Sequence, residues 1–214
     1  MAVICPTVLA TTATEYKTQV EKVAHLGHRL QIDLTDSVFA PSHTIGADEA
    51  WWPAGFSADM HLMYKNPAEA ITRVLPHKPH LIIVHAESDG DFKQVVQACR
   101  QKGVKVGVAL LPATGPHHIL SELDQLDHVL IFSGDLGSFG GHADLSLLEK
   151  VKFLKTLKPG LEIGWDGGIN NQNVAQLVYG GVDVLNVGGY IQNAEDPRKA
   201  YNDLVRIAEE TGTT

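Results

Sequence analysis

The sequence predicts a single (β/α)8 barrel, and three observations support that fold class. Short runs rich in β-branched residues alternate with longer segments of helical spacing, which is typical of parallel βα units. Eight such runs fit within 214 residues, near the lower end of the size range of this barrel. No linker, charge run or low-complexity stretch divides the chain. We therefore expect residues 1–214 to form one domain.

The elements are predicted in a regular order. The β-branched runs place strands at residues 2–9, 29–34, 57–63, 80–85, 105–111, 128–133, 161–166 and 182–187. Helical spacing places helices at 14–26, 67–75, 92–102, 145–157, 171–180 and 196–210. Residues 40–56 contain two prolines and two tryptophans, which predict a long loop with a short helix. A doubly wound open sheet is the alternative, but it usually has fewer strands.

The composition argues against several classes of function. The formal net charge is −8 and the 17 Lys and Arg residues are scattered, so no surface for nucleic acid or for an anionic membrane is expected. No apolar run reaches the roughly 18 residues needed to cross a bilayer, and the first residues do not resemble a signal peptide. Cys5 and Cys99 are far apart, which predicts neither a disulfide framework nor a thiolate zinc site. We expect a cytoplasmic protein with reduced thiols.

Polar residues occur where predicted strands end, and in this barrel those ends line the active site. After the second strand, the period of two sends Gln31, Asp33 and Thr35 to one face. A carboxylate that points into a barrel is costly unless it is paired or bound to a metal, which favours a functional role for Asp33. Asp36 is also consistent with a turn or a helix cap.

Histidines near the ends of the third and fourth strands allow two interpretations. Asp59, His61 and Met63 share one face of the third strand, at its end. An imidazole there can bind a metal or transfer a proton. A single histidine in an apolar run is also consistent with a hydrogen-bonded core residue, and His85 carries the same ambiguity.

Glycine clusters follow the sixth, seventh and eighth strands. Asp166 is followed directly by two glycines, and the eighth strand ends in a further pair. The loops after strands seven and eight commonly bind phosphate in these barrels, because backbone amides there face the anion. The three clusters together predict a phosphate site.

The motifs recur in a fixed order along the chain. They are CPTVL (5–9), DLTD (33–36), FAP (39–41), TIG (44–46), DMHLM (59–63), VHAE (84–87), PAT (112–114), FGG (139–141) and DGGI (166–169). In this order they resemble the ribulose-phosphate 3-epimerase family over nearly the whole chain. Neither chance nor common barrel ancestry supplies such an ordered set.

The resemblance implies metal-assisted epimerisation at C3 of a ketose phosphate, from D-ribulose 5-phosphate to D-xylulose 5-phosphate. Asp33 and Asp166 match the two acids that move the proton on opposite faces. A divalent ion (zinc, iron(II) or manganese) would stabilise the enediolate, with His61 and both aspartates as ligands. The substrate contacts implied are Thr7, Met63 and the backbone amides near Gly140, Gly141, Gly167, Gly168, Gly188 and Gly189.

The chain departs from the family pattern within this site. Gln31 stands where the family has a second metal-binding histidine, and its amide oxygen is a weaker ligand for zinc. The last phosphate loop has Gly189 in place of a serine, and the lid after the sixth strand lacks the family's proline.

Three other functions therefore stay open. They are epimerisation of a six-carbon substrate such as allulose 6-phosphate, a different reaction on a sugar phosphate, and phosphate binding without catalysis. A decarboxylase with an Asp-x-Lys-x-x-Asp signature is disfavoured, because residues 31–36 contain no lysine. Trp51, Trp52 and Phe56 can cover the barrel or form a subunit contact, so we expect a homo-oligomer.

Overall fold

The protein, described here for residues 1–212 by a computed structural model, is a closed barrel of eight parallel strands paired in sequence order. The predicted fold class is confirmed. Val3 to Pro6 pair with Val184 to Val187 and close the ring. The strands are β1 (Val3–Val8), β2 (Arg29–Thr35), β3 (Ser57–Met63), β4 (Leu81–His85), β5 (Lys105–Leu110), β6 (His128–Phe132), β7 (Glu162–Asp166) and β8 (Val184–Val187).

Helices surround the barrel after six of these strands. They are α1 (Ala13–Val23), α2 (Ala68–Val74), α3 (Phe92–Gln101), α4 (Leu148–Leu157), α5 (Val174–Tyr179), α6 (Gly189–Gln192) and α7 (Pro197–Gly212). Side chains at their ends cap two of them: Thr12 Oγ1 accepts a hydrogen bond from Glu15 N in α1, and Asp91 accepts one from Lys93 N in α3. Within residues 1–212, no helix has the length and apolar character that would let it span a membrane.

The short helix predicted within residues 40–56 is wrong. The segment forms turns and extended chain, and it is held by bonds to the barrel rather than by its own helical bonds. Thr35 N donates to Thr44 Oγ1 (2.9 Å), and Ile45 N donates to Ala10 O (3.1 Å). Pro41 and Pro53 lack the N–H group that a helix requires. The β5–β6 connection likewise contains only short 3-10 turns, at Pro116–Ile119 and Leu123–Gln125.

A charged network fills the N-terminal end of the barrel. Arg29 donates from Nε to Asp59 Oδ2 (2.6 Å) and from both terminal nitrogens to Glu162 (2.9 and 2.8 Å). His128 Nδ1 lies 2.8 Å from the same Glu162 carboxylate. The sequence predicted Asp59 at the C-terminal end of β3, beside His61. Asp59 does lie on the same face of β3 as His61. Its carboxylate, however, binds Arg29 at the N-terminal end of the barrel, because Arg29 is the first residue of the neighbouring strand β2.

One side of the barrel interior contains an apolar cluster. Leu81, Ile83, Ala109 and Leu130 are completely buried and form a cluster of their own. They lie on β4, β5 and β6, and Leu81 and Ile83 are the register partners of Asp59 and His61 on β3.

Candidate active site at the C-terminal strand ends

Three predicted site residues meet at the C-terminal end of the barrel. Asp33 on β2 is the register partner of His61 on β3, and Asp166 ends β7. His61 Nδ1 lies 2.9 Å from Asp33 Oδ1 and 3.7 Å from Asp166 Oδ2. Their potential ligand atoms all lie within 4.8 Å of one another. The strand order thus brings together groups that are far apart in sequence.

Gln31 connects the two aspartates. Its side chain is completely buried, and Nε2 donates to Asp33 Oδ1 (2.8 Å) and to Asp166 Oδ2 (2.5 Å). Within residues 1–212, Oε1 of the same amide has no hydrogen-bond partner. One amide nitrogen therefore holds both carboxylates in place and leaves an unused acceptor beside them.

A second histidine fixes the orientation of the first. His61 Nε2 lies 2.9 Å from His85 Nε2, and His85 Nδ1 lies 3.5 Å from Glu87 Oε2. Burial lowers the pKa of His85 to about 4, so this ring is neutral at pH 7. The Glu87 carboxylate favours the proton on His85 Nδ1, which makes His85 Nε2 an acceptor and His61 Nε2 the donor. His61 Nδ1 is then available to a proton or a metal ion.

Asp166 holds a proton more tightly than an ordinary aspartate does. Burial and, secondarily, the neighbouring Asp33 carboxylate raise the pKa of Asp166, and His61 and Gln31 oppose that rise. Two close carboxylates in one apolar site resist simultaneous ionisation. The arrangement favours a pair that holds one proton, which is the state an acid and base pair requires.

Apolar side chains surround these polar groups. Met63 is buried and lines the cavity together with Phe132. The rings of His61 and Phe132 have centroids 5.9 Å apart, and those of His85 and Phe39 lie 4.6 Å apart. Such walls exclude water and strengthen the electrostatic interactions within the site.

Most of the predicted substrate contacts line the same cavity. They include Thr7, Met63, Gly140, Gly167, Gly168, Gly188 and Gly189. Gly168 N donates to Gly140 O (3.0 Å), so this amide is already used within the protein. Gly141 is not among the lining residues, because it packs against the backbone of Gly134. Gly141 therefore contributes to the packing of the loop and not to the cavity wall.

The structure shows the contacts of Asp36 and His85, the two residues that the sequence left ambiguous. Asp36 is a turn residue, because its carboxylate accepts bonds from the backbone N–H groups of Val38, Phe39 and Lys65. His85, which had two interpretations, contacts His61 directly.

Asn186 was not predicted as a site residue. It lies on β8 beside Asp166 and lines the cavity. The period of two in β8, aligned with β7, is the signal that places it there.

Comparisons with known proteins identify the family. The model of the ribulose-phosphate 3 epimerase family matches residues 3–192. Ribulose-phosphate 3-epimerase of Helicobacter pylori is 28% identical, with 96% of this chain and 98% of the relative covered. The Bacillus subtilis enzyme of the same name is 29% identical, with 95% and 98% covered.

Solved structures support the fold. 3-Hexulose-6-phosphate synthase from Salmonella typhimurium has a TM-score of 0.69 at 15% identity, over 98% of this chain and 99% of that one. KGPDC from Streptococcus mutans has a TM-score of 0.74 at 11% identity, over 99% of both chains. These identities are too low to indicate function. Because the family model spans nearly the whole sequence, the chain belongs to the ribulose-phosphate 3-epimerase family.

Proposed function

We propose that the protein epimerises C3 of a ketose 5-phosphate and interconverts D-ribulose 5-phosphate and D-xylulose 5-phosphate. Membership of the family makes the chain an isomerase, as the sequence predicted. The observation that carries the specific proposal is the pair Asp33 and Asp166, joined by one amide nitrogen and adjacent to His61. Two carboxylates that hold one proton are the groups that a two-base proton transfer needs.

The reaction then consists of two proton transfers at one carbon. An ionised aspartate removes the C3 proton, the C3–H bond breaks, and its electron pair moves toward the C2 carbonyl oxygen to form an enediolate. The other aspartate gives its proton to the opposite face of C3. The raised pKa of Asp166 favours that residue as the proton holder of the resting pair.

The residues at the centre fit a divalent metal ion. Asp33, His61 and Asp166 offer two oxygens and one nitrogen within 4.8 Å. Gln31 adds a buried oxygen without a partner among residues 1–212, which an amide rotation exchanges with Nε2. A bound ion would stabilise the negative charge of the enediolate. Carboxylate and carbonyl oxygens suit manganese, and an imidazole suits iron(II) and zinc, so this donor set is compatible with each of the three ions.

The phosphate is held by backbone groups in this proposal. The net charge is −8, so the protein as a whole repels an anion and must bind it locally. Gly140, Gly167, Gly188 and Gly189 line one side of the cavity and leave room for close approach of the backbone. Thr7 adds a hydroxyl on the same side.

Deuterium exchange in D2O tests the proposal. The wild type, supplied with manganese or iron(II), is expected to exchange the C3 hydrogen and form both epimers. Asp33→Asn and Asp166→Asn should each lower epimerisation by about 100- to 10,000-fold. Each variant should keep exchange with only one epimer, and the two should keep opposite ones, because each retains the base for one face.

Asp124→Asn is the matched control, since this exposed aspartate lies outside the site. It should leave both exchange and epimerisation unchanged. Absence of C3 exchange in the wild type with every metal supplied would contradict the proposed reaction.

A further inference from the structure

Asn186 is a buried amide inside the cavity that the proposed proton transfer does not use. It lies on β8, where its register partners are Cys5 on β1 and Asp166 on β7. The residue is 2% exposed and lines the cavity together with Thr7 and Gly188. It therefore lies beside a proposed proton-transferring aspartate.

Both polar atoms of this side chain lack a partner. Neither Nδ2 nor Oδ1 of Asn186 forms a hydrogen bond within the described chain. A buried amide without partners is destabilising, and native proteins rarely keep one unless a ligand or water satisfies it. Cys5, its neighbour on β1, directs its sulfur at Pro6 O and offers only a weak bonding group. The partner of Asn186 is thus expected to come from the cavity.

The position of Asn186 limits which part of a ligand can reach it. Asp166 lies at the same level on the neighbouring strand, and Gly188 lies two residues further along β8. In the proposed function, Asp166 acts at C3 and the loop at Gly188 and Gly189 holds the phosphate on C5. The carbon between these two points is C4, and its hydroxyl both donates and accepts hydrogen bonds, as the amide does.

We propose that Asn186 binds the C4 hydroxyl of the substrate and makes the site selective for sugar phosphates that carry it. This inference rests on the proposed function, because that function places C3 at Asp166 and the phosphate at the β8 loop. A site built to bond a hydroxyl rejects an analogue without it, since its own buried groups are then left unpaired. Asn186 is a specificity-determining residue in this proposal.

The test measures binding rather than turnover. Ribitol 5-phosphate has no ketone and cannot be epimerised, so calorimetry can measure its affinity for the wild type. The wild type should bind ribitol 5-phosphate about 10- to 100-fold more tightly than its 4-deoxy analogue. Asn186→Leu, which keeps the size but not the bonding groups, should bind both ligands equally weakly. The exposed Asn202→Leu on α7 is the matched control and should discriminate like the wild type.

The comparison of two ligands on the unaltered protein does not depend on the folding of a variant. Equal affinity of the wild type for both ligands would overturn the inference. Continued discrimination by Asn186→Leu would also overturn it. Failure of the proposed function is separate: the C3 hydrogen would then never exchange, while discrimination between the two polyol phosphates would still support a role for Asn186.

Discussion

Gln31 has two bonding modes that exclude each other. With its nitrogen inward, it donates to Asp33 and Asp166 and compensates their negative charge. With its oxygen inward, it repels both carboxylates unless a cation lies between them. In the proposed metal site, the orientation of this amide is therefore linked to metal occupancy, which an imidazole ligand would not provide in the same way.

Replacing Gln31 with histidine tests this link at the residue scale. Gln31→His should raise zinc affinity about tenfold or more, because imidazole is a stronger zinc ligand than an amide oxygen. Gln31→Leu should bind manganese and zinc more weakly than the wild type. Competition with a chromophoric chelator gives the affinities, and the absorption bands of cobalt(II) report the ligand set. Identical affinities in all three proteins would show that residue 31 does not contact the metal.

The sequence predicted much of the site at this scale but not its hydrogen bonds. The period of two in β2 and β3 placed Asp33 and His61 on inward faces, and the family motifs selected Asp166. The bond from Gln31 to Asp166 joins residues 135 positions apart, so it depends on the closed ring. The isolation of Asn186 likewise depends on what its neighbouring strands present, which the β8 sequence alone does not reveal.

At the scale of elements, the loops after β6 and β7 pack against each other through glycines. Gly167 has φ +112°, and a Cβ there would collide with the backbone of Gly134. Gly168 N also bonds to Gly140 O across the same contact. The side of the cavity where we propose that the phosphate binds is therefore built by loops that approach each other too closely for side chains.

Gly167→Ala should separate these loops. We expect it to lower the free energy of unfolding by about 3 kcal/mol, since it adds both backbone strain and a collision. It should also weaken binding of ribitol 5-phosphate. Urea denaturation and calorimetry measure the two effects.

Gly160→Ala is the matched control, because a Cβ at Gly160 has no atom of residues 1–212 within 4 Å beyond its chain neighbours. Its stability should change by less than about 1 kcal/mol. Equal effects of the two substitutions would contradict the role assigned to the loop contact.

The sequence predicted the elements whose structure depends on local residue pattern. It failed for the segment whose structure depends on hydrogen bonds to distant residues. All eight strands were predicted close to their observed bounds, since buried parallel strands are rich in β-branched residues. Residues 40–56 were different. Their conformation follows from bonds to Thr35 and Ala10, which a local pattern does not contain.

At the scale of the whole molecule, the two ends of the barrel differ in role: the proposed reaction takes place at the C-terminal end, and ion pairs connect the strands at the N-terminal end. The C-terminal end carries the two aspartates, whereas the N-terminal end carries Arg29, Asp59, Glu162 and His128. The N-terminal network joins β2, β3, β6 and β7, so it connects distant parts of the ring. Burial raises the pKa of Asp59 to about 6, although Arg29 opposes that rise.

This shift predicts a pH dependence of stability. The folded pKa of Asp59 lies above its ordinary value of 3.8, so the folded state holds the proton more tightly. Its stabilising contribution is present below about pH 4 and is lost as the pH rises to about 6. Asp59→Asn should remove a change on the order of 2 to 3 kcal/mol over that interval.

Urea denaturation between pH 4 and pH 7, with a chelator present, measures this change. Asp124→Asn serves again as the control, and its curve should run parallel to that of the wild type. A parallel curve for Asp59→Asn would show that this carboxyl does not titrate differently in the folded state.

The pairing of β1 with β8 has a consequence for synthesis on the ribosome. β1 is synthesised well before its partner β8 and before the Gln192 amide that donates to Thr7 O. Until β8 has emerged from the ribosome, β1 therefore exposes an unpaired edge, which is a template for association with other nascent chains. We expect aggregation and chaperone dependence to be concentrated in the interval between the synthesis of β1 and that of β8.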